Sequence, residues 1–243
     1  MFEIVAVVSI VFAAAFTQGL AGFGFAFMSL PLISLFVDFK TSVITLVLLA
    51  QALNLLIMWQ HGQRPAWDRI IPLTLATLPG IPVGVHLLRV MPVAVLQGTL
   101  GVMLVAYSLY QWFARPVPRE IGRFWVLVTG FVAGCLGGAL NSQGPPILVY
   151  VSLQPWNKDR VKATMVGFFF LSGLFVLGFQ AWQGLVTAET LRLSGWCLPG
   201  LIVGATLGRA LYVRIGEGGY RRIFTALVCA LGVLMIVKSL GGA

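Results

Sequence analysis

The sequence predicts an all-α integral membrane protein with two inverted-topology repeats, each a broken or re-entrant helix pair followed by three transmembrane helices. Of the 243 residues, 59% are hydrophobic and only 9% are charged, whereas a soluble domain carries about 25% charged residues. Long uncharged runs such as 41–60 match the roughly 20 apolar residues that cross a bilayer. The two halves also repeat one pattern of glycine and proline. Composition, run length and repetition therefore indicate a duplicated membrane protein.

Breaks at charged residues, glycine and proline divide the chain into ten apolar segments. We expect each segment to be helical, because a lipid-exposed backbone must satisfy its hydrogen bonds within the segment. The second and seventh segments are short and bounded by glycine or proline, which predicts a broken or re-entrant pair at the start of each half. The approximate limits are 3–18, 23–37, 41–60, 70–88, 93–113, 121–139, 144–153, 163–183, 191–208 and 221–237.

Two sets of matching residues indicate an internal duplication. Gly19, Gly22 and Pro31 recur as Gly134, Gly137 and Pro146, at an offset of 115 residues. Farther along, Leu78-Pro79-Gly80, Gly84 and Arg89 recur as Leu198-Pro199-Gly200, Gly204 and Arg209, at an offset of 120. Duplicated halves are typical of secondary transporters. The first repeat is predicted at 1–113, a linker at 114–123 and the second repeat at 124–243, within one integrated domain.

The basic residues predict the side of the membrane on which each loop lies. If all ten segments cross, twelve basic residues lie on one side and four on the other, whereas eight spans give nine and seven. The positive-inside rule favours the first arrangement, with the linker 114–123 in the cytoplasm, both termini outside and inverted repeats. Re-entrant short segments would leave this parity unchanged. The twelve are Arg64, Arg69, Arg115, Arg119, Arg123, Lys158, Arg160, Lys162, Arg209, Arg214, Arg221 and Arg222, and the four are Lys40, Arg89, Arg192 and Lys238.

Two uncharged polar turns, one in each half, form the predicted substrate site. They are Gln18–Gly24 and Gly137–Pro146. Polar groups at membrane depth are unfavourable unless they face a cavity or a partner, and the free N–H groups of a fresh helix start favour an anion. Alternatively, the glycines only permit close helix packing. The residues predicted to bind substrate are Gln18, Gly22, Gly24, Gly138, Asn141, Ser142, Gln143 and Gly144.

Other polar residues within the segments have two interpretations each. Arg89 and Arg209 either attract the anion and gate its entry from the two sides, or snorkel to the surface at helix ends. His86 either carries a coupling proton or packs at an interface. The mid-segment residues Gln51, Asn54 and Ser172, and the matched pair Thr45 and Thr164, either line a cavity or bond neighbouring helices.

Composition excludes several classes of function. The net charge of +9 resides in short loops between apolar runs, where basic residues orient a membrane protein rather than bind nucleic acid. The seven acidic residues lie at segment ends or in loops and the two histidines are far apart, so no enzyme active site, metal site or cofactor site is expected. A carrier, a passive anion channel and a structural subunit remain. A structural subunit would leave the polar turn Asn141–Gln143 without a reason.

The chain resembles the TauE/SafE family of sulfite and organosulfonate exporters over nearly its whole length. The resemblance rests on the glycine-rich first turn ending in Ser29-Leu-Pro31, its repeat ending in Gly144-Pro-Pro146, and the Leu-Pro-Gly-x-x-x-Gly elements. It implies a multi-pass permease of the bacterial inner membrane for small organic or sulfur-containing anions, such as sulfite, sulfonates or short carboxylates. It also implies coupling to H+ or Na+ and allows a homo-oligomer. Phe23 and Phe25 stand where such proteins often carry more glycine.

Overall fold

The computed structural model describes residues 2–61, 65–114, 122–154, 156, 158–212 and 217–241. Within these residues there are eleven α-helices and no strand, which confirms the all-α prediction. The first half contains α1 (Phe2–Ala21), α2 (Phe25–Ile33), α3 (Phe39–His61), α4 (Trp67–Thr77), α5 (Gly80–Val90) and α6 (Val93–Phe113). The second half contains α7 (Arg123–Leu140), α8 (Gly144–Ser152), α9 (Lys158–Trp182), α10 (Ala188–Tyr212) and α11 (Glu217–Gly241).

Six of the described helices are long and apolar enough to cross a membrane: α1, α3, α6, α9, α10 and α11. A seventh crossing results if α4 and α5, which meet at a bend of 47°, form one broken span. The helices α2 and α8 have nine residues each and extend about 14 Å, roughly half of the hydrocarbon core. Ten separate crossings would require α2 and α8 to span the bilayer, and both are too short, so the structure favours the predicted alternative of a broken or re-entrant pair in each half. The short helices α2 and α8 can only complete a broken span or re-enter the membrane.

The predicted fourth segment, 70–88, is broken at Leu78-Pro79, whereas α10 runs through the matching Pro199 as one helix. Proline removes a helical hydrogen bond in both places. In the first half the Thr77 hydroxyl also donates to the Thr74 carbonyl oxygen (2.6 Å), a local bond that competes with the helical ladder. Cys197 stands at the matching position of α10. The break in the first half therefore coincides with a hydroxyl that the matching position of α10 lacks.

The helices of the two halves interlock through glycine faces. α1 packs along α10, α7 packs along α4 and α5, α3 packs against α9, and α6 packs against α11. A Cβ on Gly204 of α10 would collide with the Phe12 carbonyl oxygen of α1, and one on Gly84 of α5 with the Cys135 carbonyl oxygen of α7. These glycines therefore allow the backbones of the halves to touch at two matched interfaces.

The helix ends give a repeat register that differs from the one inferred for the first turn. α1 ends at Ala21 and α7 ends at Leu140, and the residues that follow, Gly22 and Asn141, have φ of 81° and 50°. These equivalences correspond to an offset of 119 residues rather than 115. The two offsets differ by four residues, about one helical turn, so Gly19 has a glycine counterpart at either offset, Gly134 or Gly138.

Several basic residues assigned to loops lie within helices. Lys158, Arg160 and Lys162 belong to the first turns of α9, and Arg209 to the last turn of α10. The Arg160 guanidinium lies over the Trp156 ring, 5.5 Å from its centroid, in a cation–π contact. Arg64, Arg115, Arg119 and Arg214 lie outside the described residues, as does most of the predicted linker.

Candidate substrate-binding site

A cavity of about 50 Å³ lies where the α1/α2 break and the α7/α8 break meet α3 and α9. Five amide side chains and four phenylalanine rings line it, and none of these described lining residues is ionisable. The amides are Gln18, Gln51, Asn54, Asn141 and Gln143, the rings are Phe23, Phe25, Phe27 and Phe169, and the remaining lining residues are Gly24, Ala26, Ala50 and Gly144. The two predicted turns therefore meet at one buried polar site.

Gln18 organises the break between α1 and α2. Its Nε2 donates to Asn54 Oδ1 of α3 (2.7 Å), and its Oε1 accepts the N–H of Phe25 at the start of α2 (3.2 Å). Gly22 and Gly24 have φ of 81° and 106°, conformations that glycine adopts without strain. This single side chain thus ties the end of one helix to the start of the next and to α3.

Asn141 and Gln143 organise the break between α7 and α8. Asn141 closes α7 in the left-handed conformation, and its N–H donates to the Gly137 carbonyl oxygen (3.0 Å). The Ser172 hydroxyl of α9 lies 2.6 Å from Gln143 Oε1, within reach to donate to it. A Cβ on Gly137 would lie only 2.5 Å from the Gln143 side chain. Gly137 therefore makes room for the amide that links this break to α9.

The two helix starts supply different backbone donors. N–H groups in the first turn of a helix have no intrahelical partner, and in α2 they include those of Ala26 and Phe27, which line the cavity. In α8 the first turn contains Pro145 and Pro146, which lack an N–H. Backbone donors at the second start are therefore fewer than the sequence pattern implied, although the positive dipole end remains at both starts.

Two lining amides carry buried polar atoms without a partner. These atoms are Asn141 Nδ2, a donor, and Gln51 Oε1, an acceptor. A buried polar atom left unsatisfied destabilises a protein by about 1–3 kcal/mol, and almost all such atoms are bonded. Both residues line the cavity. Asn141 Nδ2 is suited to donate to an oxygen of an anion.

The structure brings five of the eight predicted binding residues to the cavity: Gln18, Gly24, Asn141, Gln143 and Gly144. The other three lie behind it. Gly22 packs on the Lys162 side chain, Gly138 packs against α5 at Ile81 and Val85, and the buried Ser142 donates its hydroxyl to the Leu140 carbonyl oxygen (3.0 Å). Ser142 therefore supports the turn and does not line the cavity.

The two arginines lie away from the cavity. Arg89 and Arg209 are exposed in the last turns of α5 and α10. Arg89 Nη1 donates to Gln183 Oε1 (3.1 Å), and Lys40 Nζ donates to the Arg89 carbonyl oxygen (2.9 Å). Their placement agrees with snorkelling at helix ends. His86 is likewise exposed on α5.

Sequence reasoning left the four phenylalanines unassigned and did not decide between the two roles of Gln51, Asn54 and Ser172. The structure places Gln51 and Asn54 in the lining, and Ser172 reaches it through Gln143. The amides were detectable because a polar residue stands out in an apolar segment. The chain contains 17 phenylalanines; the sequence places Phe23 and Phe25 at the first turn, but nothing in it separates Phe27 and Phe169 from the others.

Two comparisons with known proteins indicate the same family. A family model described as "Sulfite exporter TauE/SafE" matches residues 7–235, which include both breaks and every lining residue. The chain is 22% identical over 179 residues to the "Probable sulfite/organosulfonate exporter TauE" of Cupriavidus necator, an alignment that covers 72% of this chain and 70% of that protein. No solved structure gives a significant match.

Proposed function

Because this chain belongs to the sulfite exporter TauE/SafE family, we propose that it is a secondary carrier that moves small anions through the cavity between its two helix breaks. It is a multi-pass protein of the inner membrane. The observation that carries the proposal is the convergence of two helix starts and five amides on one cavity without an ionisable lining residue. Sulfite and organosulfonates, which the name of the relative states, are the first substrates to test, and short carboxylates come next.

The site chemistry favours an anion that must also be released. Helix N-termini and amide N–H groups attract negative charge without a full positive charge. A buried lysine or arginine in the lining would hold the anion more tightly and slow its release. The phenylalanine rings supply an apolar wall against which the organic part of a sulfonate can pack. A volume of about 50 Å³ is far below that of a typical ligand pocket, so the site must expand to admit such a group.

We infer that an apolar layer closes the path between the cavity and the surface at Arg89, which favours a carrier over an open channel. The layer consists of Val47 of α3, Ile81 and Val85 of α5, and Val176 of α9, all buried. On α3, Val47 lies between Lys40, which bonds to the Arg89 carbonyl oxygen, and Gln51 of the cavity. On α9, Val176 lies between Phe169 of the cavity and Gln183 at the surface. Apolar constrictions block the passage of ions because water leaves them.

A buried amide beside this layer supports its opening in another conformation. Gln180 of α9 is fully buried and donates through Nε2 to the Gly138 carbonyl oxygen (3.3 Å), but its Oε1 has no partner. Gly138 itself contacts Ile81 and Val85. An unsatisfied acceptor next to an apolar layer is unfavourable unless water reaches it for part of the time. We infer that the layer separates when the carrier opens toward Arg89.

Isosteric hydroxyl substitutions should make this layer leak. In the double variant Val85→Thr/Val176→Thr, two hydroxyls replace methyl groups and make hydration easier. We expect substrate efflux from loaded proteoliposomes without a driving gradient to rise at least about tenfold, because a wetted constriction no longer excludes the anion. The matched control Val102→Thr lies on the exposed face of α6 and should behave as the wild type. Equal leak rates in the double variant and the wild type would show that the layer does not lie on the substrate pathway.

We also propose that the repeats are inverted, with residues 1–113 and 124–243 related by a pseudo-two-fold axis in the membrane plane. The matched packing of α1 on α10 and of α7 on α4 and α5 supports this relation.

By the positive-inside rule, the distribution of basic residues predicts that the linker 114–123 lies in the cytoplasm and both termini lie outside. A single cysteine placed in the linker of a cysteine-free protein should resist a membrane-impermeant maleimide in intact cells and react after permeabilisation. A cysteine added at the C-terminus should react in intact cells and serves as the positive control. Labelling of the linker cysteine in intact cells would overturn the topology.

Flux into proteoliposomes tests the proposed function directly. Purified protein should take up labelled sulfite, sulfonate or short carboxylate with saturation, and unlabelled substrate on the opposite side should stimulate exchange. Imposed H+ and Na+ gradients, applied one at a time, identify the coupling ion. Each transported anion should also raise the melting temperature of the detergent-solubilised protein by mass action. Flux that neither saturates nor shows counterflow would instead identify a passive channel, and no flux with any anion would refute both.

A further inference from the structure

Lys162 is a buried cation that contacts the first helix break from behind. Its side chain is only 4% exposed, although it lies in the second turn of α9, where the sequence predicted a loop. Nζ donates to the carbonyl oxygens of Gly19 (2.7 Å) and Leu20 (3.3 Å) in the last turn of α1. The stem lies against Gly22, where a Cβ would stand 2.6 Å from Lys162 Cγ.

These carbonyl groups belong to the negative end of α1. At the first break the negative end of α1 therefore lies beside the positive start of α2. The end of α1 repels an anion, whereas the start of α2 attracts it. The full charge of one ammonium group exceeds the roughly half charge of a helix end. Asp159, one turn earlier on α9, interacts electrostatically with Lys162, but it is exposed and its charge is screened more strongly than that of the buried lysine.

The second break has no equivalent of this lysine. At the offset of 119 residues, the counterpart of Lys162 is Val43, which is buried. The Gly138 carbonyl oxygen near the end of α7 instead accepts the neutral amide of Gln180. Lys162 therefore lies at the first break, where the start of α2 has more free backbone N–H groups than the start of α8.

We propose that Lys162 is a positioning residue that raises the affinity of the site for anions without touching them. It cancels the negative end of α1 and holds the Gly22–Gly24 turn, so that the start of α2 presents a net positive potential to the cavity. The inference rests on the proposed function. It predicts that removal of the charge weakens anion binding, whereas removal of a comparable helix-end contact elsewhere does not.

The test compares Lys162→Gln, Lys162→Met and Lys162→Arg with the wild type in the proteoliposome assay. Glutamine can still donate to the two carbonyl oxygens, so it removes the charge with least damage to the turn, whereas arginine keeps the charge. We expect KM for the transported anion to rise at least about tenfold in Lys162→Gln and Lys162→Met with a maximal rate within about twofold, and Lys162→Arg to stay near the wild-type KM. If Lys162→Met fails to fold, the glutamine and arginine variants decide.

Lys238→Met is the matched control. Lys238 Nζ donates to the Ser34 carbonyl oxygen (2.6 Å) at the far end of α2, so this variant also loses a lysine contact at a helix C-terminus. It should lower the melting temperature but leave KM unchanged. A wild-type KM in Lys162→Gln, or an equal rise in Lys238→Met, would overturn the role of Lys162 while the carrier function stands. A wild-type protein that transports no anion would refute the proposed function and this inference together.

Discussion

Replacement of Gln143 with methionine should reduce anion transport severely while the protein still inserts and purifies normally. Methionine is similar in length but removes the amide from the cavity and leaves the Ser172 hydroxyl without its partner at Gln143 Oε1. Hydrogen bonds to charged groups contribute about 1.5–3 kcal/mol. We therefore expect substrate affinity to fall about 10- to 100-fold, measured as KM for uptake and as loss of the substrate-induced rise in melting temperature.

Asn141 should be tested by substitution with glycine. Asn141 has a φ of 50°, a conformation that glycine adopts freely and a branched or large apolar residue does not. Asn141→Gly therefore removes the donor Nδ2 without straining the end of α7, and a loss of transport similar to that of Gln143→Met is expected.

The residue between these two provides the control. Ser142 is buried and bonded to the Leu140 carbonyl oxygen rather than to the cavity, so Ser142→Ala should keep wild-type KM. Wild-type affinity and flux in both Gln143→Met and Asn141→Gly would show that this turn serves packing alone.

The second large effect concerns stability at the interface between the halves. In Gly204→Ala the new methyl group meets the Phe12 carbonyl oxygen of α1, and in Gly84→Ala it meets the Cys135 carbonyl oxygen of α7. The obstacle is backbone rather than a flexible side chain, so the helices must separate. Overpacking typically destabilises by 1–3 kcal/mol, and we expect each variant to lose at least about 2 kcal/mol. Thermal unfolding in detergent measures this loss as a lower melting temperature and a lower yield of monodisperse protein.

Gly195→Ala, in the same helix as Gly204, is the matched control for that effect. A Cβ at Gly195 meets no atom within 4 Å, and alanine is the better helix former by about 1 kcal/mol. Its melting temperature should stay equal to that of the wild type or increase. Stability losses of equal size at Gly195 and Gly204 would mean that glycine acts through helix flexibility rather than through close packing.

The sequence alone was sufficient to predict most of the helices and the two breaks at Gly22–Gly24 and Asn141–Gln143, but not the break between α4 and α5. Apolar runs must be helical in a membrane because the backbone has no other hydrogen-bond partner. Gly22, Gly24 and Pro145 mark the places where these helices end or begin. Gln18, Asn141 and Gln143 were identifiable for the same reason: a polar side chain at that depth requires a partner or a cavity. The structure places all three at one cavity, and their role in binding stays a prediction.

Features that depend on the position of a neighbouring helix were established only by the tertiary structure. The glycines and prolines of the first turn match at an offset of 115 residues, whereas the helix ends align at 119, because glycines on one helix face recur every four residues. The sequence predicts Lys162 in a loop. It is buried because the end of α1 lies against α9. Phe27 and Phe169 resemble every other phenylalanine in an apolar run, since burial against lipid, a core or a cavity leaves the same pattern in sequence. Local sequence therefore determined which residues are helical and which are unusual, whereas packing determined which of them meet.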